Sequence, residues 1–152
     1  MLEIKKINHD KKQYMNLLLL ADEQENMIDR YLEKGEMFAL YDGDLKSICV
    51  VTKEDEGVYE IKNIATYEQY QGRGYGKKLI EYILNYYKAD CDTMFVGTGD
   101  SPLTIPFYKK CGFEVSHRIE NFFINNYDKP IYECGKQLID MIYLKKSVKG
   151  NC

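Results

Sequence analysis

The stretch NIATYEQYQGRGYGKKLIEYILNYY, Asn63 to Tyr87, decides the fold. Its first residues complete an alternating run, VYEIKNIAT, that reads as a strand over Val58–Thr66. Its last residues carry Leu79, Ile80, Ile83, Leu84 and Tyr87 on one stripe of a helix from about Gly74 to Lys88. Between the two lies QGRGYGK, Gln71 to Lys77, with three of the chain's eleven glycines and two cations on the turn that opens the helix. A helix N-terminus presents unpaired amides and about half a positive charge, and glycines let an anion approach them without interference from Cβ. The turn therefore reads as an anion cradle.

Spacing separates the phosphate-binding loops that could make such a cradle. A GxxxxGK[ST] loop fails because Gly72 to Gly76 is one residue short and Lys78 stands where a magnesium-holding hydroxyl belongs. A GxGxxG dinucleotide fingerprint fails because Gly72 and Gly74 are followed by Lys77. The pattern that fits is [Q/R]xxGx[G/A], filled by Gln71, Gly74 and Gly76, after a strand and before a helix.

Outward from this loop the chain reads as one α/β domain, residues 1–152, with no repeat and no dividing linker. LEIKKI is a first strand, and KKQYMNLLLLADEQENMIDRYLEKG holds two short helices, the second ended by Gly35. MFALYDGDLKSICVVTK is a hairpin about Asp42-Gly43, and a second hairpin passes through EDEG into VYEIKNIAT. DTMFVGTG is a buried strand. SPLTIPFYKKCGF is a short helix capped by Ser101 or Asp100 and closed by Gly112. FEVSHRIENFFI is a strand, NNYDKPIYECGKQ a loop, and LIDMIYLKKSV the last strand.

Composition bounds the function. A formal charge of -3 and a pI near 5.5 provide no basic field, which argues against nucleic-acid and membrane-surface partners. The longest apolar run, Leu17 to Leu20, is too short to span a bilayer, and MLEIKKINHDKK has no signal-like apolar region. Five cysteines form no CxxC pair and no metal-ligand spacing, so they read as free thiols in a reducing cytosol, with no metal. These features set a cytoplasmic expectation.

The glycine pattern and a second segment, PFYKKCGF from Pro106 to Phe113, together resemble the two signature motifs of the GNAT superfamily of acyl-CoA dependent N-acetyltransferases. They stand in that family's order and separation, and the flanking elements match its layout over nearly the whole chain. The resemblance implies a mixed, mostly antiparallel twisted sheet of about seven strands flanked by about four helices, with a splayed central strand pair. It implies acetyl-CoA as cosubstrate. Ile64, Ala65 and Thr66 would pair with the pantetheine arm as an added strand does. The amides of Gln71, Gly72, Arg73, Gly74, Tyr75 and Gly76 would hold the pyrophosphate, with Arg73 and Lys77 as nearby charge.

By the same resemblance Tyr108, four residues before Gly112, is the general acid for the departing thiolate. Glu60, eleven residues before Gln71, is the candidate base for the amine. Relatives often carry an asparagine seven residues before the tyrosine; here Ser101 stands there as the candidate pantetheine contact, with Asp100 beside it. Glu68 replaces the usual proline after the signature strand, and His117 reads as structural. The acceptor would be a small-molecule amine, a lysine or a peptide N-terminus, bound between residues 22–33 and 121–137. The first segment is acidic (Asp22, Glu23, Glu25, Asp29, Glu33) and the second aromatic (Phe122, Phe123, Tyr127, Tyr132). Such a lining suits a cationic amine with an apolar stem. The chain would act as a monomer or homodimer. A non-catalytic acyl-CoA sensor or scaffold on the same fold is the alternative.

Overall fold

The computed structural model describes residues 1–148; the fifth cysteine, Cys152, lies outside them. Nine strands and five α-helices follow one another there: β1 Leu2–Ile7, α1 Met15–Ala21, α2 Glu25–Asp29, β2 Glu36–Asp42, β3 Asp44–Asp55, β4 Val58–Thr66, α3 Tyr75–Tyr87, β5 Thr93–Gly99, α4 Thr104–Lys110, β6 Glu114–Ile119, α5 Phe122–Asn126, β7 Tyr132–Glu133, β8 Lys136–Gln137 and β9 Met141–Ser147. Single 3-10 turns at Lys11–Tyr14 and Glu68–Tyr70 precede α1 and α3. Seven strands form one sheet in the order β1-β2-β3-β4-β5-β9-β6. Each neighbouring pair is antiparallel except β4 and β5, which run parallel.

Alternation along the central strands builds a core on each face. Phe38, Leu40, Cys49 and Val51 point to the side covered by α3 and α4, where they meet Leu79, Ile80, Ile83, Tyr87 and Tyr108. Met37, Ala39, Ile48 and Val50 point the other way, against Leu17, Leu18, Ile28, Tyr31 and Leu32 from α1, α2 and the turn after them. Each fully buried Leu or Ile contributes about 1.5–3 kcal/mol, so period-two alternation at both faces fixes the register.

The turn after α2 is held by an unusual cap. Lys11 is buried, and its Nζ donates to the carbonyls of Leu32 (3.1 Å), Glu33 (3.2 Å) and Gly35 (2.6 Å). Gly35 is needed for space, since a Cβ there would lie 2.7 Å from Val50 Cγ1 and 2.9 Å from the Tyr31 carbonyl oxygen.

Two elements differ from the sequence reading. The strand expected through FEVSHRIENFFI stops at Ile119, and Phe122–Asn126 is the short helix α5. Asn121 takes a left-handed conformation (φ 57°) that a strand cannot continue, and its amide donates to Asp140 Oδ1 at 2.9 Å. The segment expected as loop contains the β7–β8 hairpin, where Cys134 and Gly135 both have positive φ (53° and 76°), as a tight two-residue turn requires. No helix among the described residues is long and apolar enough to cross a membrane.

Candidate active site

The glycine loop leaves fewer free amides than the sequence reading expects, because that of Gln71 is already engaged within the chain. Gly74 is the N-cap of α3 at φ 86° and Gly72 sits at φ 79°, conformations that an L-residue adopts at a cost. A Cβ on either would meet nothing within 4 Å, so no protein atom crowds these glycines and the space above them is open. The first intrahelical bond runs from the Lys78 amide to the Gly74 carbonyl (3.0 Å), and no side chain caps the helix. The amides of Tyr75, Gly76 and Lys77 are thus left for a ligand.

The other loop residues brace this turn. The Gln71 amide is engaged with the Glu68 carbonyl (3.2 Å), and its side chain donates to the Thr66 carbonyl (3.1 Å). Tyr75 donates to Asp42 Oδ2 at 2.7 Å, fastening the helix start to the end of β2. Gly76 has a packing role, because its Cβ would come within 3.2 Å of Phe107 Cζ on α4. Arg73 and Lys77 are exposed, and the Arg73 guanidinium lies 5.6 Å from the centre of the Tyr70 ring. An anion on the loop amides suits this arrangement of free donors, open space and peripheral charge.

Beside the loop, β4 parts from β5. The two pair only over Val58–Ile61 with Thr93–Val96, whereas β4 continues to pair with β3 as far as Thr66. Past Ile61, then, the β4 backbone at Ile64, Ala65 and Thr66 is paired on one side alone, which leaves an edge for an extended chain to join.

A bulge sits where the strands part. Val51 pairs with Ile61 and Val50 with Asn63, so Lys62 is an extra residue in β4. The bulge reverses the facing of all that follows: Tyr59 and Ile61 lie in the α3 core, but Ala65 lies in the α1 core. Glu60 and Asn63, three residues apart, consequently share the α1 face. The signal for this was present in the run Tyr59-Glu-Ile-Lys-Asn-Ile64, where the apolar phase switches from odd to even positions across Lys62.

Tyr108 belongs to the opposite face, buried in the α3 core with edge contacts to Phe107 (5.2 Å) and Phe113 (6.1 Å). Burial pushes its phenol well above the ordinary tyrosine range, so it stays protonated. Among the described residues no group hydrogen-bonds to its hydroxyl. Ser101 is buried and starts the turn leading into α4: its Oγ accepts from the Leu103 amide (3.1 Å) and its carbonyl from the Ile105 amide (3.3 Å). Asp100 pairs with Lys136 (3.2 Å), and the N-cap of α4 is Leu103 with no side-chain cap bond, so neither Asp100 nor Ser101 caps the helix as the sequence reading expects; Ser101 holds the turn before it.

Glu60 is buried, and burial raises its pKa against the opposing pull of Lys62 and Tyr143. Lys62 Nζ lies 3.2 Å from Oε1 and the Tyr143 hydroxyl donates to Oε2 at 3.1 Å; Glu54 adds a like charge nearby. His117 stacks on the Tyr143 ring at 5.0 Å, and Phe95 meets both rings edge-on. The carboxylate is therefore oriented by neighbours from β4 and β9. The sequence reading missed Tyr143, which pairs with Glu60 across 83 residues of chain.

Of the acidic residues expected around the acceptor, Glu25 and Asp29 are within reach of Lys12 (3.9 and 3.2 Å), and Glu23 and Glu33 face solvent. Asp22 alone turns inward. Its Oδ2 accepts from Tyr31 (3.0 Å) and its Oδ1 from Tyr127 (2.6 Å). Asn63 Nδ2 completes the chain, donating to Tyr31 Oη (3.0 Å) and to the Leu18 carbonyl (3.1 Å).

A strand pair that parts beside a glycine-rich helix start defines an acyl-CoA transferase architecture, and the comparisons agree. The chain belongs to the acetyltransferase (GNAT) family, whose model matches residues 3–113. It is 39% identical over 132 residues to the uncharacterized N-acetyltransferase YvbK of Bacillus subtilis (strain 168), a match spanning 85% of each chain. A GNAT family acetyltransferase from Elizabethkingia anophelis with acetyl-CoA bound superposes with a TM-score of 0.90 at 33% identity, over 96% of this chain and 97% of that one. A Bacillus subtilis acetyltransferase in complex with CoA gives 0.87 at 36% identity, over 97% and 99%.

Proposed function

We propose that the protein transfers an acetyl group from acetyl-CoA to an amine by direct attack of the amine on the thioester. The amides from Gly72 to Lys77 bind the pyrophosphate with help from Arg73 and Lys77. The one-sided edge of β4 at Ile64, Ala65 and Thr66 holds the pantetheine arm, and Ser101 retains a hydroxyl proton to offer it. Glu60 takes the proton of the attacking amine. The C–N bond forms, the C–S bond breaks, and the Tyr108 phenol gives its proton to the departing sulfur. Solvent then reprotonates Tyr108 and removes the proton from Glu60. The acceptor is an amine-bearing small molecule, a lysine or a peptide N-terminus, the setting is the cytoplasm, and the chain works as a monomer or homodimer.

The observation that carries this reading is the buried Tyr108 hydroxyl, which no group among the described residues hydrogen-bonds, so its proton is uncommitted. Glu60 supplies the complementary group, because a carboxylate with a raised pKa is a stronger base than an ordinary one. The sign follows directly. Glu60 is ionised, and competent, only above its raised pKa, so the acid limb of kcat/KM lies higher in pH than an ordinary carboxylate of about 4.3 would put it. Glu60→Gln removes that base, so its loss is greatest between the raised Glu60 pKa and the higher pKa of the amine, where the carboxylate is ionised and free amine is scarce, and it fades below the Glu60 pKa, where the parent carboxyl is itself protonated. A Glu60→Gln profile that superimposes on that of the parent assigns proton removal to water or to another residue.

A further inference from the structure

The bond between Tyr143 and Glu60 crosses a strand. Tyr143 is on β9 and Glu60 on β4, with β5 between them, so the two backbones run two strand spacings apart, about 9–10 Å. The hydroxyl nevertheless lies 3.1 Å from Glu60 Oε2. Side chains can meet over a middle strand where that strand leaves room, and Gly97 leaves it. Gly97 pairs with Tyr143 in the register of β5 and β9, and a Cβ on it would come within 3.1 Å of Tyr143 Cζ and 3.2 Å of Cε1. Pairing of β5 with β4 ends at Val96 and Ile61, so Gly97 is the first β5 residue past the parting of the strands. The ring is fixed on its other sides. His117 from β6 stacks parallel to it (5.0 Å, 6° between the planes), and Phe95 from β5 stands edge-on (6.5 Å, 77°). Neither hydrophobic core includes Phe95, His117 or Tyr143, so core packing does not account for the arrangement.

We infer that Tyr143 is a positioning residue for the reaction: its ring, lying over Gly97 and backed by His117, draws the Glu60 carboxylate toward β5 and aims it at the place where β4 and β5 part. The inference rests on the reading of Glu60 as the base. A base must lie within hydrogen-bond reach of the proton it takes, and a glutamate left to its own torsions samples several directions. Two partners divide its oxygens. Lys62, on β4 itself, lies 3.2 Å from Oε1 and also within 4.0 Å of Glu54 on β3, so this flexible cation has a second carboxylate to turn to. Tyr143 holds Oε2 with a ring that its neighbours keep in place, and the direction of the carboxylate therefore comes from Tyr143. The other charged side chain on this face of β9 is Lys145, opposite Phe95 in register, while His117 touches the ring of Tyr143. Each carboxylate oxygen keeps a further lone pair for the amine. Because the hydroxyl bonds the charged form, it opposes the upward push of burial on the Glu60 pKa, and removing it makes the carboxyl harder to ionise.

The test is the pH profile of kcat/KM for the amine in the parent, Tyr143→Phe and Gly97→Ala, each made also in a Glu60→Gln background, with acetyl-CoA affinity by calorimetry as the check on folding. Tyr143→Phe keeps the ring and its stack and loses the hydroxyl. Its acid limb is expected at higher pH than that of the parent. On the plateau above that limb, where Glu60 is ionised in both proteins, kcat/KM should be about tenfold lower because the carboxylate is no longer aimed, with acetyl-CoA affinity unchanged. Gly97→Ala keeps the hydroxyl and pushes the ring off the strand, so it should lower the plateau in the same direction but by less. Both losses should vanish in the Glu60→Gln background, where nothing remains to be positioned. An acid limb that stays in place in Tyr143→Phe, or equal losses with and without Glu60, overturns the inference and leaves Tyr143 as a packing residue. A Glu60→Gln profile that superimposes on that of the parent defeats the reading of Glu60 as base and this inference with it. A clear loss in Glu60→Gln beside a parental profile in Tyr143→Phe defeats this inference alone.

Discussion

The two faces of the sheet are built by different means. On the α3 side the functional groups lie close together in sequence: the amides of Gly72 to Lys77 follow β4 directly, and α4 brings Tyr108 within the same core as Leu79, Ile80 and Ile83. On the α1 side they are gathered from distant segments, with Asp22 joined to Tyr127 across 105 residues and Glu60 to Tyr143 across 83. In the proposed function the first face grips the donor through backbone, which any sequence with the right glycines can supply, and the second meets the acceptor through side chains. A face made of amides is suited to a constant donor, and a face made of side chains can differ from one relative to the next.

The largest effect that sharpens this contrast is expected from Tyr108→Phe, which keeps the ring and removes one hydroxyl. Turnover should fall by about 10² to 10⁴, the range of general acid catalysis, with acetyl-CoA affinity retained. Steady-state kinetics beside calorimetry reads both, and turnover within about twofold of the parent would return Tyr108 to a packing role. On the other face, Lys11→Met strips the cap from three carbonyls at once. Stability measured in urea should fall by about 2–3 kcal/mol, since those buried acceptors lose their charged donor. A change below about 0.5 kcal/mol would mean that water replaces the ammonium freely.

Gly74→Val alters the loop proposed to hold the donor's phosphates. Acetyl-CoA affinity should drop at least about tenfold, or 1.4 kcal/mol, through the strained φ of 86° and the branched side chain. Normal binding by a folded variant would remove the loop from the site. Smallest is Ser101→Ala, which loses the bond to the Leu103 amide and should cost about 1 kcal/mol of stability. If acetyl-CoA affinity falls as well, Ser101 both holds the turn before α4 and touches the donor.

The contrast also explains what could be read from the sequence. The strand, glycine loop and helix from Val58 to Tyr87 were legible because each signal is local: alternation, then positive-φ residues, then an apolar stripe. The place of Tyr108 was legible for the same reason, four residues before Gly112. The bulge at Lys62 was passed over, because its signal is slight: the polar Asn63 and apolar Ile64 switch the phase set by Tyr59 and Ile61, but Ala65 returns an apolar residue to an odd position. α5 was misread because FFI is an apolar run too short for periodicity to tell helix from strand, and the left-handed Asn121 decided it. Asp22 and Tyr127 were named as parts of two expected linings, but their bond to each other depends on tertiary packing that no local pattern records.

The most direct test of the account is to incubate the protein with acetyl-CoA and a panel of amines, measuring free thiol and the mass of the acceptor together. The account predicts thiol release that depends on amine, with one acetyl gained by the acceptor for each thiol released, and loss of both signals together in Tyr108→Phe. Thiol released at the same rate without amine, or no acetylated product from any amine while acetyl-CoA binds tightly, would contradict it and leave a module that binds acyl-CoA without transferring it.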